Sequence, residues 1–345
     1  MNNDIYFQRI TPDGEINSVQ LDPTTILILE EAKRLGIEYE LISDTDVIKL
    51  YYQGQEQYFR NRVPTSTFSP ATKICADKTK TRAFLQRAKI SIPKGYSIFP
   101  TDSSEAIEQT WNALRKPIVV KSVDETHGKN IFVGVQDFEE CLRIVSKIFS
   151  SRKTTGSTIL LEEMFEGSEY RIVATNQEVI AVIERVPASI TGDGIHTIKE
   201  LIETKNLNPF RNISQEMYPH IHIDEEMEKY LAEQQTNVLE VPENGKRIML
   251  RKVSNVMAGG DSIDRTDEIS ESVKRLAVQT IRAIPGLSWG GIDFMTKNLH
   301  QPQTADSYII VEINGAPEFD MNIMPMQGKS RNVAKAFLKL MFPTL

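Results

Sequence analysis

The sequence has few cysteines, no long apolar run and no excess of positive charge. Its 345 residues include two cysteines, Cys75 and Cys141, which are too few for a disulfide framework or, alone, for a structural zinc site. No apolar run approaches the ~20 residues that a membrane-spanning helix needs. Lys and Arg total 40 against 47 Asp and Glu, a net charge of −7. This balance argues against a general nucleic-acid-binding protein.

The N-terminus also lacks the basic flank and apolar core of a secretory signal, since Asp4 stands near the start of the chain. Hydrophobic residues make up 40% and charged residues 25%, as in ordinary soluble proteins. We therefore expect a cytoplasmic globular protein that binds neither nucleic acid nor membrane. At ~150 residues per domain, the length predicts about two domains, or one domain in several lobes.

Helix and strand patterns divide the chain into three blocks, and they predict an α/β protein built of α+β lobes. Residues 1–70 form a small α/β domain, with a helix between Asp22 and Gly36 and a hairpin around Gly54. Residues 71–157 form a central lobe, and residues 158–345 form a larger lobe in which strands alternate with helices and long loops. No internal repeat or low-complexity tract is present.

A lysine and a glycine loop are the first candidates for chemistry. Lys121 ends the strand-like run Pro117–Lys121, and the loop that follows contains His127, Gly128 and Lys129. A strand that ends in lysine places a positive charge at a sheet edge, and a loop of backbone N–H groups can cradle phosphates. An exposed lysine at a strand end and an ordinary turn are the alternatives.

The segment Leu160–Arg171 is more informative. It carries the acids Glu162 and Glu163, an apolar pair that ends at Phe165, a glycine turn and then Glu169. Such a strand edge can offer backbone donors and acceptors to a flat base, and the later acid can accept hydrogen bonds from ribose hydroxyls. The alternative is an amphipathic strand and turn.

Three oxygen-bearing side chains near the C-terminus form a candidate metal site. Asp293 lies within Trp289–Met295, while Glu312 and Asn314 are two residues apart on a strand and so share one face. An unpaired acid on an otherwise apolar strand is costly. Such oxygen ligands suit Mg²⁺, which keeps waters and binds nucleotide phosphates. A structural salt bridge is the alternative.

The order of these motifs resembles the ATP-grasp superfamily. Two longer stretches, Arg185–Leu201 and Leu250–Asn255, resemble the ATP-grasp parts of bacterial bifunctional glutathione synthetases and of cyanophycin synthetases. Gly259–Asp264 resembles the former most, and Pro325–Pro343 fits both. The resemblance covers nearly the whole chain and is vaguest over the first 70 residues.

The resemblance implies an ATP-grasp fold, in which a small N-terminal domain precedes two lobes that clamp ATP. It implies ATP and Mg²⁺ as cofactors, with Mn²⁺ as a substitute for Mg²⁺. It also implies roles for individual residues. For the nucleotide, Lys78 and Lys121 contact the phosphates, Glu162–Phe165 forms the adenine hinge and Glu169 binds the ribose. The metal ligands are Asp293, Glu312 and Asn314, and the catalytic residues are Arg251, which faces the transferred phosphate, together with Asn255 and Lys121. The loop 125–130 is the candidate lid.

The reaction that the resemblance implies is amide or peptide bond formation between amino acids or short peptides, through an acyl phosphate. A glutathione synthetase-type addition of glycine to a γ-glutamyl dipeptide, a small-molecule kinase and a non-catalytic ATP-binding module stay open as alternatives. No γ-glutamylcysteine-forming domain precedes this sequence and no Mur-type domain follows it, so we expect a stand-alone ligase. A homodimer or higher oligomer is compatible with this expectation.

Two departures from these relatives concern the substrate. Met257-Ala-Gly-Gly260 replaces Ser-Thr-Gly-Gly, and the acids Glu318 and Asp320 stand where the relatives tend to have basic residues or histidine. We therefore predict that one substrate is cationic or turns its free amine toward this loop. The alternative is that both acids face solvent or form salt bridges. The candidate substrate residues are Arg171, Arg185, Gly259, Gly260, Glu318 and Asp320.

Overall fold

The computed structural model describes residues 21–42, 45–123, 130–151, 158–213 and 217–345. These residues form fifteen strands: β1 Glu38–Leu41, β2 Val47–Tyr52, β3 Gln55–Arg60, β4 Val63–Pro64, β5 Gly95–Ile98, β6 Ile118–Ser122, β7 Ile131–Val135, β8 Ile159–Glu163, β9 Ser168–Thr175, β10 Val179–Val186, β11 Ser189–Thr191, β12 Arg247–Met249, β13 Asp261–Asp264, β14 Trp289–Thr296 and β15 Tyr308–Asn314.

The same residues form eleven α-helices: α1 Pro23–Arg34, α2 Ser69–Cys75, α3 Lys78–Arg87, α4 Ser104–Asn112, α5 Phe138–Ser150, α6 Ile198–Asn206, α7 Pro209–Ile213, α8 Glu225–Glu233, α9 Glu271–Arg282, α10 Asp320–Ile323 and α11 Val333–Met341. None of the helices in the described ranges is long and apolar enough to cross a membrane.

The first helix shows how local sequence sets element ends. Asp22 caps α1 because its side chain accepts a hydrogen bond from the Thr25 N–H at 3.1 Å. Pro23 occupies the first helical turn, where a missing N–H costs nothing. Gly36, with φ of +72°, allows the chain to turn out of the helix. These ends agree with the sequence prediction.

The N-terminal unit is a small antiparallel sheet in the order β1-β2-β3-β4. Its β2–β3 hairpin turns at Gln53 and Gly54, which both have positive φ, as a tight two-residue hairpin turn requires. The unit does not stand alone, because Ile28, Leu50 and Phe59 share one apolar cluster with residues of α11 and of the largest sheet.

The second sheet has the antiparallel order β5-β8-β6-β7. Its core contains Trp111 of α4 and Ile144 of α5, which pack on Val120 and Leu161 of the strands. The sequence assigned β8 to the C-terminal lobe, but β8 pairs with β5 and β6 in this central sheet. The central sheet therefore includes a strand that follows residue 157. The domain boundaries themselves stay a prediction.

The largest sheet is antiparallel and has the order β13-β10-β9-β14-β15. One face packs against α9 and also against α2 and α3, through residues such as Ala71, Leu85 and Val273. Part of the other face packs against α1 and α11. A separate two-stranded ribbon, β11-β12, forms its own core with α6 and α8. The large sheet thus links the N-terminal unit to the C-terminal helix.

Seven short elements were missing from the sequence prediction. These elements are the strands β4, β5, β11 and β13 and the helices α2, α7 and α10. Elements of two to seven residues show too little periodicity to stand out from loops.

Phe337 offers a test of the apolar contact between α11 and the rest of the chain. It is fully buried, with its ring centroid 4.9 Å from Trp289 and 5.3 Å from Phe59. Phe337→Ala should lower the free energy of unfolding by about 3–5 kcal/mol in urea denaturation. Phe337→Leu keeps most of the volume and should cost less than about 1.5 kcal/mol. Equal losses for the two variants would contradict the packing role.

Candidate active site

Charged side chains from four neighbouring strands meet on one face of the large sheet. The register places Asp293 of β14 opposite both Arg171 of β9 and Glu312 of β15. Arg185 of β10 stands opposite Glu169. Paired residues of adjacent strands point to the same side, so strand register alone assembles these five side chains.

The same face of the sheet changes from charged to apolar within two residues of β9. Val173 follows Arg171 by two positions and therefore points to the same side, but it is buried among apolar residues of α1 and α11. At the charged end, β15 contains an extra residue, Val311, between the partners of Asp293 and Phe294. Such bulges redirect side chains and are frequent beside active sites.

Asp293 is the centre of the ion network. Its Oδ1 lies 2.6 Å from Nε of Arg171 and 3.4 Å from Nη1 of Arg185. Nη1 of Arg185 also donates to Glu169 at 3.1 Å, and the Ser254 hydroxyl donates to the other oxygen of Glu169. The close Arg171 contact is not aligned as a hydrogen bond, so Asp293 Oδ1 accepts none from the residues that the structure describes.

Burial and charge shift the pKa values of the two facing acids in opposite directions. Burial raises the pKa of Asp293, but the Arg171 and Arg185 guanidiniums outweigh it and hold that pKa below its usual range. Burial and the negative charge of Asp293 raise the pKa of Glu312, and the positive charge of Lys78 offsets this only in part. The neighbouring cations thus favour the ionised form of Asp293 more than that of Glu312.

Asp293, Glu312 and Asn314 fit a magnesium site by their donor chemistry. No three His, Cys, Asp or Glu side chains in the described parts of the chain come together as a metal site, so the two acids would need oxygens of another kind. Asn314 supplies an amide oxygen, which accepts a hydrogen bond from the Ala316 N–H at 3.2 Å. Mg²⁺ is commonly held by one or two carboxylates, with waters and phosphates completing its shell.

Two lysines are the predicted phosphate ligands. Lys78, the first residue of α3, donates to the Val123 carbonyl at 3.4 Å and lies 3.8 Å from Glu312. Lys121 on β6 is buried, and its Nζ lies 2.6 Å from Oε2 of Glu162. Lys78 therefore contacts residues of both sheets, while the carboxylate partner of Lys121 lies on β8 of its own sheet.

The predicted adenine hinge, Glu162–Phe165, begins with the last two residues of β8. The N–H groups of Glu163 and Met164 donate to the carbonyls of Lys94 and Pro117, at 2.8 and 3.1 Å. Both groups are thus in use, which leaves later hinge groups for a base. Phe165 follows them, and a Cβ at Gly167 would come within 2.7 Å of the Thr296 carbonyl oxygen and 2.8 Å of the Phe165 ring. The close approach of Gly167 to the Thr296 backbone requires glycine.

Arg251 and Asn255 lie at the other side of the charged face. Both oxygens of Asp224 accept hydrogen bonds from the buried Arg251 guanidinium, at 2.7 and 2.6 Å. Asp224 also caps α8, since it accepts from the Met227 N–H. Asn255 caps a single 3₁₀ turn, Val256–Ala258, by accepting from the Met257 N–H at 2.9 Å. Arg251 is therefore already fixed by a carboxylate.

The glycines after this turn use their N–H groups internally. The Gly259 N–H donates to Val256 at 2.9 Å, and the Gly260 N–H donates to Asn255 at 3.3 Å. Their carbonyls accept from Nη2 of the fully buried Arg211, at 2.8 and 3.2 Å. The assignment of Gly259 and Gly260 to the substrate site stays a prediction, and binding through their N–H groups would require this turn to open.

The two acids of the predicted substrate loop have different surroundings. The Glu318 side chain is 61% exposed and lies 4.0 Å from Arg62. Asp320 begins α10, and no described residue forms an ion pair with it. Burial, together with the negative charge of Glu318, raises its pKa to about 6, against the opposing charge of Arg62. Whether either acid faces a substrate stays a prediction.

Three residues that the sequence predicted to bind phosphate, His127, Gly128 and Lys129, lie outside the described residues. Conversely, the structure adds residues that sequence reasoning missed: Arg62, Arg82, Arg211, Asp224 and Ser254. The sequence could have indicated one of them: Arg82 follows Lys78 by four positions and therefore lies on the same helix face.

The raised pKa of Asp320 gives a pH test. The native state holds the proton more tightly than the unfolded chain, whose value is 3.8, so the free energy of unfolding falls as pH rises toward about 6. Asp320→Asn cannot ionise and should gain stability over the parent between about pH 4 and about pH 7 in urea denaturation. Glu271→Gln, at an acid of α9 whose side chain is 71% exposed, is the control. An Asp320→Asn difference that is equal at both pH values would contradict the assignment.

Known proteins resemble this chain over most of its length. A family model described as phosphoribosylglycinamide synthetase, ATP-grasp (A) domain, matches residues 76–186. The chain is 32% identical over 326 residues to cyanophycin synthetase from Synechocystis sp., covering 94% of this chain and 37% of that protein. It is also 32% identical over 334 residues to the glutathione biosynthesis bifunctional protein GshAB from Enterococcus faecalis, covering 94% and 43%.

The chain thus spans less than half the length of these curated relatives. Among solved structures it is similar to a bifunctional glutathione synthetase from Pasteurella multocida, with a TM-score of 0.71 and 30% identity over 94% of this chain and 45% of that one. The fold class predicted from the sequence is confirmed by this likeness. The chain has the ATP-grasp fold and belongs to the ATP-grasp superfamily.

Proposed function

We propose that this chain is an ATP-dependent carboxylate–amine ligase, which joins amino acids or short peptides through an acyl phosphate and releases ADP and phosphate. The observation that carries the proposal is the pairing of Asp293 with Glu312, near Lys78 and beside the partly buried guanidiniums of Arg171 and Arg185. Oxygen ligands beside several cations suit a reaction in which a nucleotide and an anionic intermediate must be held together.

In this proposal ATP lies between the central and the large sheet. Lys78 and Lys121 hold its phosphates, Glu162–Phe165 holds the base and Glu169 binds the ribose. Asp293, Glu312 and Asn314 hold Mg²⁺, which supplies charge neutralisation on the phosphates when bound. The domains would be residues 1–70, 71–157 and 158–345, with the cleft between the second and the third.

The remaining residues would act on the substrates. A substrate carboxylate attacks the γ-phosphate, and Arg171, Arg185 and Arg251 are the cations that can stabilise the acyl phosphate that forms. An amine then attacks the acyl carbon, and phosphate leaves. The intermediate must be kept from water, and loop 125–130 is the proposed cover.

The likeness to a cyanophycin synthetase and to bifunctional glutathione biosynthesis proteins supports amino-acid or peptide substrates. A glutathione synthetase-type reaction is the narrower candidate, favoured by the likeness to the Pasteurella multocida enzyme over 94% of this chain. The deciding experiment measures ADP release and product mass across pairs of amino acids and dipeptides. A condensation product that requires both substrates supports the ligase. A phosphorylated single substrate would indicate a kinase, and ATP binding without turnover would indicate a non-catalytic module.

Glu312→Gln tests the metal assignment. The change removes an anionic ligand without changing side-chain size, so ADP release should fall by at least about 100-fold, more than changes behind a metal ligand usually cost. Glu271→Gln, an acid on α9 that is 71% exposed, is the matched control and should keep parental activity. Parental Mg²⁺-dependent turnover in Glu312→Gln would show that the metal binds elsewhere.

Lys121→Ala tests the phosphate assignment. Loss of one positive charge from a buried position should raise the Kd for ATP about tenfold or more. Lys80→Ala, on α3 with a side chain that is 61% exposed, serves as control. ATP affinity and turnover that match the parent in Lys121→Ala would leave Lys121 as a structural lysine at a strand end.

A further inference from the structure

A buried cation that the sequence did not single out lies beside Lys121. Arg82 on α3 donates through Nη1 to Oε1 of Glu162, whose Oε2 lies 2.6 Å from Nζ of Lys121. The side chains of Arg82, Glu162 and Lys121 are 12%, 4% and 5% exposed. One carboxylate is thus shared by two cations away from water.

We propose that Arg82 is a positioning residue for the nucleotide: by sharing Glu162, it leaves a net positive charge at Lys121 for the phosphates. Lys121 and Glu162 alone form a neutral pair, and Arg82 brings the group to +1. The attraction of the group for a polyanion depends on that net charge and is strongest where water is excluded. The inference rests on the proposed function, because it takes Lys121 as a phosphate-binding residue.

The position of Arg82 on α3 supports this role. Arg82 and Lys78 are four residues apart on α3 and therefore lie on one helix face, so α3 directs two cations to the same side. A second donor of Arg82, Nη2, bonds to the Pro93 carbonyl at 2.8 Å. Leu85 of the same helix packs in the core of the large sheet. Arg82 is therefore anchored on that side and reaches across to Glu162 of the central sheet.

The neighbouring acid on β8 provides a comparison. Glu163 also pairs with two cations, Lys94 at 3.2 Å and Arg115 at 3.6 Å, but their side chains are 58% and 79% exposed. Alternating residues of a strand point to opposite sides, so the two groups lie on opposite faces. Solvent screens the outer group, and Arg115 is therefore a matched control for Arg82.

Titration calorimetry with Mg²⁺ and ADP tests the inference without depending on turnover. Arg82→Gln should raise the Kd for ADP about tenfold, equivalent to about 1.4 kcal/mol, and more at low than at high ionic strength. Arg82→Lys keeps the charge and should recover most of that affinity. Arg115→Gln should stay within about twofold of the parent, as expected for an exposed pair.

A double variant keeps the test decisive if Arg82→Gln alone fails to fold. Arg82→Gln with Glu162→Gln restores the net charge of +1, and the two amides can bond to each other, so ADP affinity should return most of the way to the parental value. Parental ADP affinity in a folded Arg82→Gln, a Lys variant as weak as the Gln variant, or a folded double variant without recovery would each overturn the proposal.

The inference and the proposed function can fail separately. Amide formation is measured in parallel with ADP binding. Parental protein that binds ADP but joins no substrate pair would contradict the ligase proposal, while the Arg82 comparison would still be decided by the ADP affinities. Loss of ADP affinity in Arg82→Gln with recovery in Arg82→Lys would support Arg82 whatever the substrate proves to be.

Discussion

The pairing of buried charges across the strands of the large sheet is the interaction on which the rest of the site depends. Asp293 lies within 3.4 Å of both Arg171 and Arg185. Because Asp293 is buried and the two guanidiniums are largely shielded from solvent, removal of one partner leaves the others without compensation, which is far more costly than the loss of an exposed pair. Val173 lies two residues farther along the same face and is buried against α1 and α11. One sheet face therefore holds the reactive charges and part of the core.

Helix α3 joins this face to the second sheet. It belongs by packing to the large sheet, through Leu85, yet its cations Lys78 and Arg82 contact the Val123 carbonyl and Glu162 of the central sheet region. The residues proposed to hold the nucleotide are thus brought together by ion pairs and hydrogen bonds of the chain itself. Such preorganisation lowers the entropy that binding would otherwise cost.

Much of the fold and part of the site could be predicted from the sequence. Long elements with caps and clear periodicity, such as α1, were predicted well, and the face shared by Glu312 and Asn314 followed from strand alternation. The arginine partners of Asp293 could not be predicted, because strand register between β9 and β14 joins residues 122 positions apart. The hydrogen bonds that the N–H groups of Gly259 and Gly260 donate could not be predicted either, because they depend on a turn whose carbonyls bond to Arg211.

The turn between β3 and β4 brings the N-terminal unit to the edge of the site. Arg62, in a left-handed conformation with φ of +62°, contacts Asp22 at 2.5 Å and the Ala316 carbonyl at 3.4 Å, and it lies 4.0 Å from Glu318. The loop after β15 is therefore shaped by a residue about 250 positions away. Transplanting that loop between relatives would require the Arg62 turn to move with it as a single graft.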